Sequence, residues 1–286
     1  MRVANVVGRL SLVTAPGEVV DVERASGGRF VADPQAAYER WDELVDFAAT
    51  ISPGHPDAVA LREEELGNPV PQPRQVFAIG LNYADHAAES KLSVPETPPV
   101  FTKFPACLSG PFGQIELPAG GNVDWEVELV AVIGRRAYRV VEDAAWGHVA
   151  GLTVGQDLSE RQLQLTGPAP QFSLGKSYPG FGPMGPVLVT PDELPNSDDV
   201  ELGCLINGEQ VQKGRTSDMV FSVPELIARL SAVTPLLPGD VIFTGTPSGV
   251  GLGRTPQRYL KPGDELVTYV SGLGEMRHHM VAPESA

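Results

Sequence analysis

The run Trp125-Glu-Val-Glu-Leu-Val-Ala-Val-Ile-Gly134 constrains the fold of this chain more than any other stretch. Alternation along a strand puts Glu126, Glu128, Val130 and Val132 on one face and Trp125, Val127, Leu129, Ala131 and Ile133 on the other. Beyond Glu128 both faces are apolar, so the spacing predicts a strand covered on both sides. The two acids, about 7 Å apart along such a strand, would repel each other and lose hydration, a penalty of several kcal/mol each. A divalent cation held between them removes that penalty, and hard oxygen ligands suit Mg²⁺, Mn²⁺ or Ca²⁺. The alternative is an edge strand whose acids stand in water.

Glycine and proline set the character of the rest. With 31 Gly and 27 Pro in 286 residues, the chain is interrupted too often for a helical bundle and favours short strands joined by turns. At 42% hydrophobic and 20% charged it has the composition of a globular protein large enough for a full core. A net charge of −15 argues against a nucleic-acid partner, which would demand a basic patch. No apolar run is long enough to span a membrane. The polar-interrupted start Met1-Arg-Val-Ala-Asn does not read as a signal peptide. Cys107 and Cys204 show no zinc-binding spacing and read as buried thiols in a reducing cytoplasm.

Residues 1 to about 31 read as short strands with turns at Ala15-Pro-Gly-Glu and Ser26-Gly-Gly. A helix comes next, capped by Asp33, with Tyr38, Trp41, Leu44, Val45 and Ala48 as its apolar stripe. The prolines of Gly67-Asn-Pro-Val-Pro-Gln-Pro-Arg74 mark a linker, which places a small N-terminal α+β domain at 1–70 and a larger one at 71–286. Beyond it come a strand at Gln75–Gly80, a helical turn at Tyr83–Ser90, and short strands at 99–104, 124–134, 149–157, 185–190, 200–206, 240–244 and 264–270. A second helix begins at Ser222-Val-Pro-Glu225, a capping box. This pattern is mixed α+β, mainly β, and fits a barrel-like or sandwich-like roll better than a doubly wound sheet.

Several polar residues stand where chemistry could use them. His86 and Glu89, three apart in a helical turn, can face the same way, and a His oriented by a carboxylate can take a proton from water. Asp157, closing the strand Val149–Val154, can supply a third carboxylate to a cation, with Arg161 one turn further on. As a bland reading, Asp157 caps a helix and the His–Glu pair is a solvated face. Lys176 lies in a stretch short of other cations, and Phe243-Thr-Gly-Thr-Pro-Ser-Gly-Val-Gly251 is a glycine-rich turn whose amides and Thr246 could approach a ligand carboxylate. Gly180-Phe-Gly-Pro-Met-Gly185 matches a dinucleotide fingerprint in letters, but Pro183 and the strand-like residues after it deny it the helix. The adjacent His278 and His279 would point to opposite faces of a strand and cannot chelate one ion.

From about residue 74 to 281 the chain resembles the fumarylacetoacetate hydrolase family. The resemblance rests on Gly80-Leu-Asn-Tyr-Ala-Asp-His-Ala-Ala-Glu89, Asp124-Trp-Glu-Val-Glu-Leu129, Asp157-Leu-Ser-Glu-Arg161, Leu174-Gly-Lys-Ser177 and Thr244-Gly-Thr-Pro-Ser-Gly-Val-Gly251, in that order. It implies the family's mixed β roll, a homodimer, and a metal triad of Glu126, Glu128 and Asp157 holding Mg²⁺ or a similar ion. It further implies a water-activating pair, His86 and Glu89, on a lid, an active-site Lys176, and substrate contacts from Tyr83, Arg161 and Thr246. The third segment departs from the family's commoner Asn-Asp-x-Ser-Ala-Arg-Asp, since Gln156, Glu160 and Gln162 stand in it, and this points to an altered substrate preference. By resemblance the substrate is a small 2-oxo acid. The expected reaction is hydrolytic cleavage of a 2,4-dioxo acid such as an acylpyruvate to pyruvate and a carboxylic acid. Decarboxylation of oxaloacetate and isomerisation of an unsaturated diacid are alternatives on the same site, and a non-catalytic metal- or metabolite-binding domain is a remoter one.

Overall fold

In a computed structural model that describes residues 1–283, every position of the Val127–Ile133 strand is buried. It lies inside a twelve-stranded sheet, antiparallel to Val149–Gln156 on one side and to Val241–Phe243 on the other. Its two faces feed two different cores. Trp125, Val127, Leu129, Ala131 and Ile133 pack with Leu202, Ile206, Leu266 and Met276, whereas Val130 and Val132 pack with Trp41, Leu44 and Leu188. The strand is therefore interior, and the acids at its start are not at a wet edge.

The large sheet runs in the order Ala58–Ala60, Glu18–Asp21, Arg9–Ala15, Arg2–Val6, Gly182–Val189, Val149–Gln156, Val127–Ile133, Val241–Phe243, Val76–Ile79, Val100–Thr102. A five-stranded sheet, Glu209–Arg215, Glu201–Ile206, Glu265–Val270, Gly274–Val281 and Phe112–Glu116, covers the first core. Together they make the mainly β roll expected from the sequence. The Gly180–Gly185 run enters the Gly182–Val189 strand and no helix. His278 points inward and His279 outward on the Gly274–Val281 strand, as alternation requires. Among the described residues no helix is long and apolar enough to cross a membrane.

The first seventy residues share both sheet and core with the rest of the chain. Arg2–Val6 pairs with Gly182–Val189, and Val3, Leu10, Leu12 and Phe30 sit in the core of Val130, Val132 and Phe243. The proline-rich 67–74 segment is packed down: Leu66–Gly67 pairs with the Arg2–Val6 strand, and Val70 is fully buried. The helix read after Asp33 is split. Asp33 accepts from the Gln35 N–H, a 3-10 turn spans Gln35–Arg40, and the α-helix is Trp41–Ala48. At Ser222 only half of the capping box forms: Ser222 accepts from the Glu225 N–H, while the Glu225 carboxylate turns to Arg229.

Candidate active site

Strand register assembles the three acids. Val127 lies opposite Gln156, so the chain just beyond brings Asp157 to Glu126, and the Asp157 N–H donates to the Glu126 carbonyl at 2.9 Å. One oxygen from each of Glu126, Glu128 and Asp157 lies within 4.8 Å of the others, and all three side chains are buried. Gln156 fixes the start of the strand by accepting from the Glu126 N–H.

Three buried cations surround them. Lys176 Nζ donates to Glu126 Oε2 at 2.7 Å, to Asp157 Oδ2 at 2.6 Å and to Ser159 Oγ at 2.8 Å. Lys103, which sequence reasoning missed, is completely buried and donates to Asp157 Oδ1 at 2.7 Å and to the carbonyls of Lys176 and Phe181. Arg161 meets Glu126 through Nη1 at 2.8 Å and a fourth buried acid, Asp124, through Nε at 2.9 Å and Nη2 at 2.7 Å. Nη2 is nonetheless buried without an aligned hydrogen bond, a donor left for a ligand. Asp124 opens the Asp124–Leu129 motif, but nothing in its spacing announced a partner 37 residues away.

Burial pushes the Glu126 carboxyl up, but Lys176 and Arg161 overcome it and hold the group down at about 2. Among the described residues Glu128 forms no ion pair; it accepts only the Gly245 N–H at 2.7 Å. Burial, then Asp157 and Glu126, raise it well above the usual carboxylate range. Burial opposes the charge on Lys176, but Asp157 and Glu126 more than offset it, so the ammonium is retained. Four buried acids thus face three buried cations, and Glu128 is the acid left without a cation of its own. An all-oxygen donor set with one unpaired carboxyl fits a hard divalent ion such as Mg²⁺ or Mn²⁺ and does not resemble a zinc site.

The Ala84–Glu89 helix presents His86 and Glu89 on one side, with His86 Nδ1 and Glu89 Oε1 2.8 Å apart. His86, Glu126, Arg161, Lys176 and Thr246 all line one cavity of about 200 Å³. Gln164 and Ser90, which sequence reasoning did not single out, line it as well. Glu128, Asp157 and Glu89 are not on this lining; Asp157 holds Lys176 and Glu89 holds His86. Tyr83 is not on the wall. It begins the helix and is buried, its hydroxyl has no hydrogen-bond partner, and burial together with Glu128 and Asp218 raises its phenol. Glu160, expected to bear on substrate preference, spends its carboxylate on the N–H groups of Asn122, Gln162 and Leu163, capping the Arg161–Gln164 turn.

The glycine-rich turn behaves differently from its sequence reading. Its amides serve the protein's own acids: Gly245 N–H binds Glu128, Gly249 N–H binds Glu89, and the Gly251 and Leu252 N–H groups bind Asp124. Buried Gln212, also unread in the sequence, holds the other side of this turn through Thr246 Oγ1 and the Pro247 carbonyl.

The C-terminal domain of fumarylacetoacetate (FAA) hydrolase matches residues 75–281. The human mitochondrial oxaloacetate tautomerase FAHD2A is 42% identical over 214 residues, covering 74% of this chain and 68% of that protein. A candidate HpcE protein from Mycobacterium smegmatis superposes with a TM-score of 0.93 at 57% identity, over 99% of this chain and 100% of that one. Maleylpyruvate hydrolase from Sphingobium sp. SYK-6, solved with manganese(II) and pyruvate, gives a TM-score of 0.81 at 28% identity, over 99% and 100% of the two chains. With its domain match spanning most of the sequence and its roll shared with these structures, this chain belongs to the fumarylacetoacetate hydrolase family.

Proposed function

We propose that the cavity binds a small 2-oxo acid and that the protein hydrolyses the C3–C4 bond of a 2,4-dioxo acid. The observation that carries this reading is the His86–Glu89 pair at 2.8 Å, whose imidazole lines the same cavity as Glu126 and Lys176. Glu126, Glu128 and Asp157 would hold a divalent cation, Mg²⁺ foremost, which when bound supplies Lewis acidity to the 2-oxo oxygen. Glu89, itself fixed by the Gly249 N–H, holds the imidazole so that it accepts a proton from water. That water adds at C4, and the C3–C4 electrons pass to C3 as the bond breaks. Protonation at C3 then gives pyruvate beside a carboxylic acid. The positive charges of Lys176 and Arg161, both on the cavity lining, stabilise negative charge on the reacting acid.

A second reading has its own support. The 42% identity to a tautomerase of oxaloacetate favours proton transfer at C3 without addition of water, with His86 as the base. A panel of acylpyruvates, fumarylpyruvate and oxaloacetate, incubated with the Mg²⁺-loaded protein, separates the two. Loss of enol absorbance from an acylpyruvate or fumarylpyruvate with stoichiometric pyruvate supports hydrolysis, whereas pyruvate from oxaloacetate alone would mark decarboxylation. Loss of enol absorbance from oxaloacetate alone, with no pyruvate formed from any substrate, would replace it by tautomerisation.

A further inference from the structure

We propose that the substrate carries its only charge on the 2-oxo acid head, and that its tail is uncharged and apolar, selected by Leu81, Leu92, Leu165 and Phe172. The inference rests on the reading of the cavity as a 2-oxo-acid site and adds which members of that class it takes.

Charged donors run out at the head. Lys176 gives its three hydrogen bonds to Glu126, Asp157 and Ser159, and Lys103 is sealed behind it. Arg161 is paired with Asp124 and Glu126 and keeps one unaligned donor, Nη2, enough for the head carboxylate. The other polar side chains Gln164, Ser90 and Thr246 that line the cavity are neutral. Gln164 accepts from Arg161 through Oε1 and Thr246 accepts from Gln212, so each can still donate to a ligand but brings no charge to balance a second carboxylate. Burying a charge against such groups is strongly unfavourable.

Much of the lining is apolar. Leu81, Leu92, Phe101, Leu165, Phe172 and Leu252 contribute to it, and Phe101 meets Phe172 edge to face at 5.6 Å. The apolar surface then continues outward, because Leu92 is 55%, Leu165 48% and Leu174 62% exposed. An alkyl or aryl tail too long for the cavity has an apolar path along these side chains, and the exposed leucines gain from covering it. Leu81 is held in the left-handed region at φ 52°, a conformation a leucine adopts only when its surroundings impose it. Its neighbour Asn82 is fully buried, donating to the carbonyls of Phe221 and Thr244 and accepting from the Phe221 N–H, so the chain that carries Leu81 is firmly held.

The test uses two six-carbon acids that differ only at the far end, 2-oxohexanoate and 2-oxoadipate. Neither has a C4 carbonyl, so neither is cleaved and calorimetry on the Mg²⁺-loaded protein reads binding alone. The monoacid is expected to bind at least tenfold more tightly. Leu165→Arg, at a half-exposed position, should erase or reverse that preference, and Leu92→Arg repeats the test at a second site should the first variant fold poorly. Equal or tighter binding of 2-oxoadipate to the unaltered protein overturns the proposal, as does an unchanged ratio in folded arginine variants. If Mg²⁺ binds but neither acid does, the 2-oxo-acid reading itself falls.

Discussion

Two acids on one strand end with opposite chemistry because their neighbours differ. Glu126 lies between Lys176 and Arg161, whereas Glu128 has one backbone amide and two nearby acids. The stability consequences carry opposite signs. Glu126 sits below its ordinary 4.5, so its contribution is present above that pH and is lost as pH falls toward about 2. Glu128 sits above 4.5, so its contribution is present below that pH and is lost as pH rises. Metal-free protein should therefore lose thermal stability from pH 5 to 8, and Glu128→Gln should flatten that slope; an equal slope in the variant would remove Glu128 as its source. Mg²⁺ binding should also expel a proton from Glu128, read as a buffer-dependent heat. His86→Ala should lower turnover about 10²–10⁴-fold, the range for a lost general base. Its Mg²⁺ affinity should be unchanged, and full activity in this variant would reassign the base.

The glycine-rich turn is the element that ties these residues together. Its amides reach Glu128, Glu89 and Asp124, so one loop fixes one of the three clustered acids, the partner of His86 and the partner of Arg161. Glycine is required at two places. Gly249 sits at φ +107°, where a Cβ would lie 2.3 Å from the Val211 carbonyl, and a Cβ on Gly251 would lie 1.8 Å from the Arg258 carbonyl. Gly249→Ala should destabilise the fold by about 1–3 kcal/mol. By moving the amide away from Glu89 it should also cut turnover at least tenfold; melts and steady-state rates together check both, and a variant with normal kcat would show that Glu89 needs no such anchor. Sequence reasoning found this loop from its glycines but gave its amides to a ligand. The letters reveal that backbone can approach something closely, not which group approaches. The strands Glu209–Arg215 and Gly274–Val281 were missed for another reason. Edge position lets the first carry charged or amide side chains at most of its positions, and the polar outer face of the second hid its buried alternates.

At the scale of the molecule, the Pro-rich segment near residue 70 separates stretches of sequence but not sheets or cores. Deleting residues 1–70 would bare the Gly182–Val189 strand and the face formed by Val130, Val132 and Phe243. The remaining residues should then be poorly soluble and lack a cooperative melt, whereas a soluble, sharply melting fragment would show an independent domain. The sequence by itself determined the mainly β character, the strand buried on both faces and the closeness of His86 to Glu89, while only the family resemblance singled out Asp157 to join Glu126 and Glu128. The first three come from alternation and short-range spacing, which the chain writes directly. The tertiary structure alone decided which charges meet. Lys103 finds Asp157 across 54 residues, Lys176 finds Glu126 across 50, and the Gly251 amide finds Asp124 across 127. A carboxylate's ionisation depends on burial and on ångström-scale distances to such partners. Folding sets both, and no spacing along the chain encodes either.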